Sequence, residues 1–208
     1  QGAAEQLEKY GLKLVAQIPV EKSDTDMKPH IMQFKKAEAD VVLLWVTPTH
    51  AVRLVGTGKA MKFAPQWMST STCSDFPLMF KISKGLWKDV IAATFGELPD
   101  SQDPLLLKYK KDAYEKYAAK DERWGLFYYA GILFAEPLIE GIKRCGKNLT
   151  RERLVQKMEK IKDFKGIGGR ISYSPLDLAE PYCRQGQKEI FIVKCLDGGK
   201  YERLTGWW

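Results

Sequence analysis

Residues 39–75 read ADVVLLWVTPTHAVRLVGTGKAMKFAPQWMSTSTCSD, and this stretch decides the fold. Asp40–Val46 is an apolar run bounded by a polar cluster, residues 49–61 have helical spacing, and the short run near 65–68 ends in a second polar cluster. Strand, helix and strand in that order predict a parallel pair joined by a right-handed crossover. In open parallel sheets the ligand crevice lies outside the carboxyl ends of the strands. Those ends carry Trp45, Thr47, Thr49 and His50 on one side and Ser69, Thr70, Ser71, Thr72 and Ser74 on the other, with no carboxylate before Asp75 and no lysine. Such a wall suits holding a small polar molecule better than transforming one.

The pattern continues on both sides. Upstream, residues 2–10 read as a helix with Ala3 and Leu7 on one stripe and Gly11 as its stop. LKLVAQIPV (12–20) reads as a strand, and residues 23–39 read as a helix capped by Ser23 or Asp24 with Pro29 in its first turn. Asp40–Val46, apolar on both faces, is expected to be the central strand, with Leu43 and Leu44 buried. Downstream, a helix over 75–82 leads to the strand KDVIAATF. The strand–helix alternation then stops. Residues 103–119 and 122–144 predict two long helices, the second containing Pro137 and ended by Gly146. Thr150 caps a further helix, and RISYSP, KEIFIVKC and KYERL read as strands, the last two joined at Asp197-Gly198-Gly199.

Composition narrows the function classes. The chain has 208 residues, 45% hydrophobic and 28% charged, which describes one large domain or two modest lobes. A net charge of +7 invites a nucleic-acid reading. However, Lys108, Lys110, Lys111, Lys116 and Lys120 interleave with acids on a helix whose apolar residues take another face, as a solvated surface does. The opening inside a helix, with no signal-like start, reads as the carboxyl-terminal part of a longer protein.

Catalytic motifs are scarce. There are two histidines, His30 and His50, and neither a nucleophile elbow nor a zinc-binding histidine pair occurs. GIGGR resembles half of a dinucleotide fingerprint, yet a strand and not a helix follows it, so it reads as a turn. Cys73, Cys145, Cys183 and Cys195 lack metal spacing. A Cys183–Cys195 bridge is disfavoured by reach. A strand carries Cys195 roughly 23 Å from Lys188, residues 183–188 recover at most about 17 Å, and a bridge needs Cα atoms within about 7 Å. STSTCSD has two compatible readings: a capped helix start, and a set of hydroxyls and amides offered to an anionic or amide ligand.

DTDM, then residues 39–72, then GLFYYAGILFAEPLIEGI, DFKGIGGRISYSPLD and GGKYERLTGW follow one another as in type I periplasmic solute-binding proteins. More narrowly, the order resembles the branched-chain amino acid-binding group that serves ABC importers. The resemblance implies an α/β fold of two parallel-sheet lobes joined by three crossing segments, with the solute held between them. On that comparison 1–105 is most of the second lobe, 106–172 the carboxyl-terminal helices of the first, and 173–208 a crossover with strands returning to the second. The first lobe would be incomplete, and the first strand of the second lobe would lie upstream. The resemblance further implies a non-catalytic, cofactor-free, extracytoplasmic receptor whose partners are a small solute (an amino acid, carboxylate or amide) and a membrane permease, with no nucleic acid. The ligand residues implied by strand ends and resemblance together are Trp45, Thr47, Thr49, Ser69, Thr70, Ser71 and Thr72. The family's aromatic contact falls on Thr47, with Trp45 beside it. The acid that receives an amino acid's ammonium would fall near Ser71, where this chain has none. A ligand-sensing or dinucleotide-binding domain of a regulator or enzyme is the alternative on the same crevice.

Overall fold

The computed structural model describes residues 2–180 and 182–207. A five-stranded sheet has the order β1 (Val41–Leu44), β2 (Gln66–Ser69), β3 (Ile91–Thr94), β6 (Phe191–Cys195) and β7 (Tyr201–Arg203). β1, β2 and β3 are parallel, in the register Val42 to Trp67, Leu44 to Ser69 and Ser69 to Ala92. The remaining strands, β4 (Phe164–Gly166) and β5 (Gly169–Ile171), form an antiparallel hairpin. The residues gather into two compact units, Gln1–Ala92 with Val193–Glu202, and Ala93–Ile192 with Arg203–Trp208.

In the first unit the helices are α1 (Gly2–Glu8), α2 (Lys28–Lys36), α3 (Pro48–Ala60) and α4 (Phe76–Ile82). Burial alternates along the strands, so Val42, Leu44, Trp67, Ser69 and Ala92 share one covered face. α3 turns Ala51, Leu54 and Val55 inward, and its Gly58 lies where a Cβ would collide with the Trp67 ring. Phe63 meets Trp67 edge-on and stacks on Phe34 of α2, which ties both helices to β2.

Three expectations for this unit are corrected. β1 is an edge strand rather than a central one, since no described strand pairs with its outer side; Leu44 is 2% exposed, whereas Leu43, on the opposite face, is 49% exposed. The lobe division read from the sequence therefore remains a proposal. Residues 12–20 form no strand; among the described residues 13–20 make no backbone hydrogen bond. α2 begins at Lys28, with Met27 and not Ser23 or Asp24 at its cap. The Asp24 carboxylate instead accepts the Glu21 N–H at 2.8 Å and lies 3.3 Å from His30 Nε2.

In the second unit α5 (Pro104–Tyr109) is capped by Asp103, whose Oδ1 accepts the Leu105 and Leu106 N–H groups. It passes through a π-helical turn at Lys110–Tyr114 into α6 (Glu115–Tyr117), where one long helix was expected. Lys108 and Lys116 flank Asp112 and hold its carboxyl down at about 2. α7 (Leu126–Cys145) contains Pro137 and stops at Gly146, whose φ of +60° suits glycine. α8 (Arg151–Met158) is capped by the Thr150 hydroxyl, as read from the sequence. Leu106, Tyr129, Leu133 and Ile167 form the core.

Glu136 is the one acid in that core. Its carboxylate accepts the Ile167 N–H at 3.0 Å and the Tyr109 hydroxyl at 2.9 Å, so it pins the β4–β5 turn and α5 to α7. Burial raises its pKa above the ordinary 4.5 more than the two donors lower it. A raised folded-state pKa gives stability that is full below the unfolded pKa and is lost as pH rises through the folded one. As pH rises above the ordinary carboxyl range, the denaturation midpoint should fall in the natural protein and fall less in Glu136→Gln; parallel slopes would remove Glu136 as the cause. A Cβ on Gly166 would meet this carboxylate, so Gly166→Ala should destabilise by about 1–3 kcal/mol, measured by urea unfolding.

Candidate functional site

The parallel register brings the two polar strand ends together. Because Leu44 lies opposite Ser69, the chain leaves β1 through Trp45, Val46 and Thr47 beside the point where it leaves β2 through Thr70, Ser71 and Thr72. Thr47 is the extended N-cap of α3, and Pro48 takes the first helical position, where a missing N–H costs nothing. The Thr47 hydroxyl does not bond the helix amides. It pairs with His50 Nδ1 at 2.7 Å, one turn on, and the buried His50 Nε2 has no partner among the described residues.

The second strand end folds as a 3-10 turn over Ser71–Cys73. Thr70 O accepts the Cys73 N–H, and Ser71 O accepts both the N–H and the hydroxyl of Ser74, the latter at 2.9 Å. The Thr70 and Thr72 hydroxyls lie 2.9 Å apart and bond each other. Cys73 is buried, with its sulfur 3.9 Å from Val46 O, where it links one strand end to the other. Asp75 is 1% exposed, and its Oδ1 accepts the Leu78 N–H at the start of α4. It already caps a helix, and it is the acid nearest the Ser69–Ser74 run in sequence.

The seven residues singled out from the sequence are placed unevenly. Trp45, Thr47, Thr49 and Thr72 are exposed, and Thr70 and Ser71 are half-buried. Ser69 points into the core face beside Leu44 and Ala92, and its side chain is 3% exposed. Trp45 is 82% exposed and lines a groove of about 630 Å³ along the outer edge of β1, which takes in none of the other six. The sequence reading left His50 and Cys73 out of the site. The i, i+3 spacing of Thr47 and His50 across a helix start was the available signal for the first.

Chemically the wall offers hydroxyls, one indole and backbone amides. Burial pushes the Cys73 thiol up to about 11 against the opposing hydrogen bond with Thr72, so it is not an activated nucleophile at neutral pH. Among the described residues, no three His, Cys, Asp or Glu side chains converge as a metal site. No helix is long and apolar enough to cross a membrane.

With that geometry in view, comparison with known proteins settles the class. The sequence profile of the periplasmic binding protein family matches residues 1–199, and the chain belongs to that family. The fold is that of type I periplasmic binding proteins, and the chain resembles their branched-chain amino acid-binding group. A branched-chain amino acid ABC transporter protein from Thermus thermophilus with bound valine superposes with a TM-score of 0.83 at 17% identity, over 99% of this chain and 55% of that one. A fatty acid ABC transporter substrate-binding protein from Thermomonospora curvata gives 0.76 at 19% identity, over 97% and 51%. A solute-binding protein from R. palustris in complex with benzoate gives 0.75 at 14% identity, over 98% and 52%. The chain thus spans about half the length of the solved structures it matches. Among curated protein sequences none matches it.

All four cysteines are free and buried. Cys195 is pushed up to about 12, by burial and then by the charge of Asp89. Iodoacetamide at about pH 8 should therefore leave Cys73 and Cys195 unlabelled in the native state and label both after unfolding, since the thiolate reacts. Rapid native labelling of Cys73, read by peptide mass mapping, would contradict its place between the strand ends.

Proposed function

We propose that the chain is part of the extracytoplasmic solute-binding component of an ABC importer and that it recognises, without transforming, a small amino acid, carboxylate or amide. The observation that carries this reading is the Leu44–Ser69 register, which sets two hydroxyl-bearing strand ends side by side in a member of the periplasmic binding protein family. In this reading Thr47, Thr49, Thr70, Ser71 and Thr72 form one wall of the site, Ser69 contributes through its backbone, and Trp45, which lines the neighbouring groove along β1, borders it. The matched proteins are transport proteins whose names include valine, fatty acid and benzoate, which supports a solute with a carboxylate. The partner is the membrane permease, which reads closure of the complete protein around the solute; closure follows from the solute's higher affinity for the closed form. The division into 1–105, 106–172 and 173–208 belongs to the same proposal.

The wall has no free carboxylate to receive an ammonium, and an unpaired buried ammonium is costly. Carboxylates lacking an amino group are therefore expected to bind this wall at least as well as amino acids do. Hydrogen bonds on a wet wall yield only about 1 kcal/mol each, and a small ligand needs most of its surface enclosed.

Calorimetry with L-valine, benzoate and acetamide, on this chain and on the full-length protein, tests the reading. Binding to this chain should be weaker by about a hundredfold or more. In the full-length protein Trp45→Ala and Ser71→Ala should each weaken binding about tenfold. Equally tight binding by both proteins, or no effect of either substitution on a bound ligand, would displace the site.

A further inference from the structure

The Thr47–His50 pair is a contact that the helix around it does not require. Thr47 is the N-cap of α3 and has the extended backbone of a capping residue, with φ −68° and ψ 158°. A threonine so placed ordinarily accepts an amide of the first turn, and that bond contributes about 1 kcal/mol. Here the hydroxyl accepts none and turns instead to His50 Nδ1, 2.7 Å away. Asp75, Asp103 and Thr150 do cap their helices with the side chain, so Thr47 departs from what these capping residues do. The two partners also differ in access. Thr47 is exposed, whereas His50 is 9% exposed, and its covered Nε2 has no hydrogen-bond partner among the described residues.

That difference decides which way the bond runs. In a neutral imidazole one nitrogen carries the proton and the other is an acceptor. With the proton on Nε2, a buried N–H would lack an acceptor, and Thr47 would spend its only hydroxyl proton on Nδ1. With the proton on Nδ1, the buried atom is a bare acceptor, which proteins leave unpaired more readily than an N–H. The ring then donates to Thr47 Oγ1, and the hydroxyl proton stays available to whatever meets the wall. We propose that His50 is a positioning residue: with its proton on Nδ1 it anchors Thr47 Oγ1 and makes the hydroxyl a donor to a carboxylate or carbonyl oxygen of the solute. The inference rests on the functional reading above and deepens it by naming the solute group that Thr47 meets. His50 acts through Thr47 and not on the solute itself, because its free nitrogen is covered. The opposite tautomer would leave Thr47 an acceptor only, suited to an ammonium or an amide N–H. An oxygen acceptor also fits the wall's other groups, since hydroxyls and backbone amides can donate to it as well.

Two measurements test this. Nitrogen NMR of the imidazole rings, on this chain without solute, reads the tautomer directly. The chain has only two histidines, so His30→Gln assigns both rings. In its neutral form His50 should show a protonated Nδ1 and a bare Nε2; a proton on Nε2 would overturn the proposal. Calorimetry with benzoate on the full-length protein reads the role. His50→Leu should weaken binding about fivefold, the equivalent of one hydrogen bond of about 1 kcal/mol. His50→Asn, whose amide can donate to Thr47 from the same position, should recover most of that loss. In a Thr47→Val background His50→Leu should lose most of its effect. Equal weakening in both backgrounds, or no rescue by asparagine, would show a packing role only and overturn the proposal. The two failures stay distinguishable: no binding of benzoate, L-valine or acetamide by the full-length protein sinks the functional reading, while the wrong tautomer sinks this inference alone.

Discussion

The parallel hydrogen-bonded register of β1 with β2, and of β2 with β3, is the constraint on which the first unit depends. Side chains alternate with a period of two, so slipping β1 by one residue would turn Val42 and Leu44 outward and bring Val41, Leu43 and Trp45 in. α3 would then lose its contact surface, because Leu54, Val55 and the close approach of Gly58 to Trp67 are all built against the present face. The same register fixes the candidate site. Thr47 and Thr70–Thr72 are neighbours only because Leu44 and Ser69 are.

The second unit is held by a different device. Its apolar core of Leu106, Tyr129, Leu133 and Ile167 has a carboxylate at its edge, and Glu136 joins three elements through two accepted hydrogen bonds. A buried acid of this kind is tolerated because both donors are present, and removing one leaves the other partners unsatisfied. α7 leaves Phe127, Phe134, Leu138 and Ile142 exposed.

What could be read from the sequence follows from how local each cause is. The Thr150 cap and the Gly146 stop depend on a few adjacent residues and were legible, as was the capped helix start in STSTCSD, where Asp75 and not Ser74 proves to be the cap. The cap of α2 was not, because Asp24 has two competing partners, the Glu21 N–H and His30, and the latter is six residues away. LKLVAQIPV has strand character, but a strand exists only when another pairs with it, and none of the described strands does. The apolar run of β1 was read as a central strand buried on both faces; Val41 and Leu43 are exposed and β1 lies at the sheet edge, since position depends on neighbours. At the candidate site, the strand-end rule picked out two loops that the register sets side by side, while the inward turn of Ser69 followed from face parity with Leu44, which needed the register.

The arrangement at the strand ends separates recognition from affinity. Several of the hydroxyls are already engaged close by: Thr47 with His50, Thr70 with Thr72, and Ser74 with the Ser71 carbonyl. These bonds hold the loops in one conformation, so a ligand meets a prearranged set of donors and acceptors and loses little in ordering them. They also limit what the wall supplies, because a ligand bond here replaces an internal bond or a bond to water and gains about 1 kcal/mol at most. Tight binding on this wall thus requires enclosure of the solute's apolar surface. On the proposed reading, polypeptide closing over the wall would provide that enclosure, and the side chains on the wall would set which solute is preferred without altering the fold beneath it.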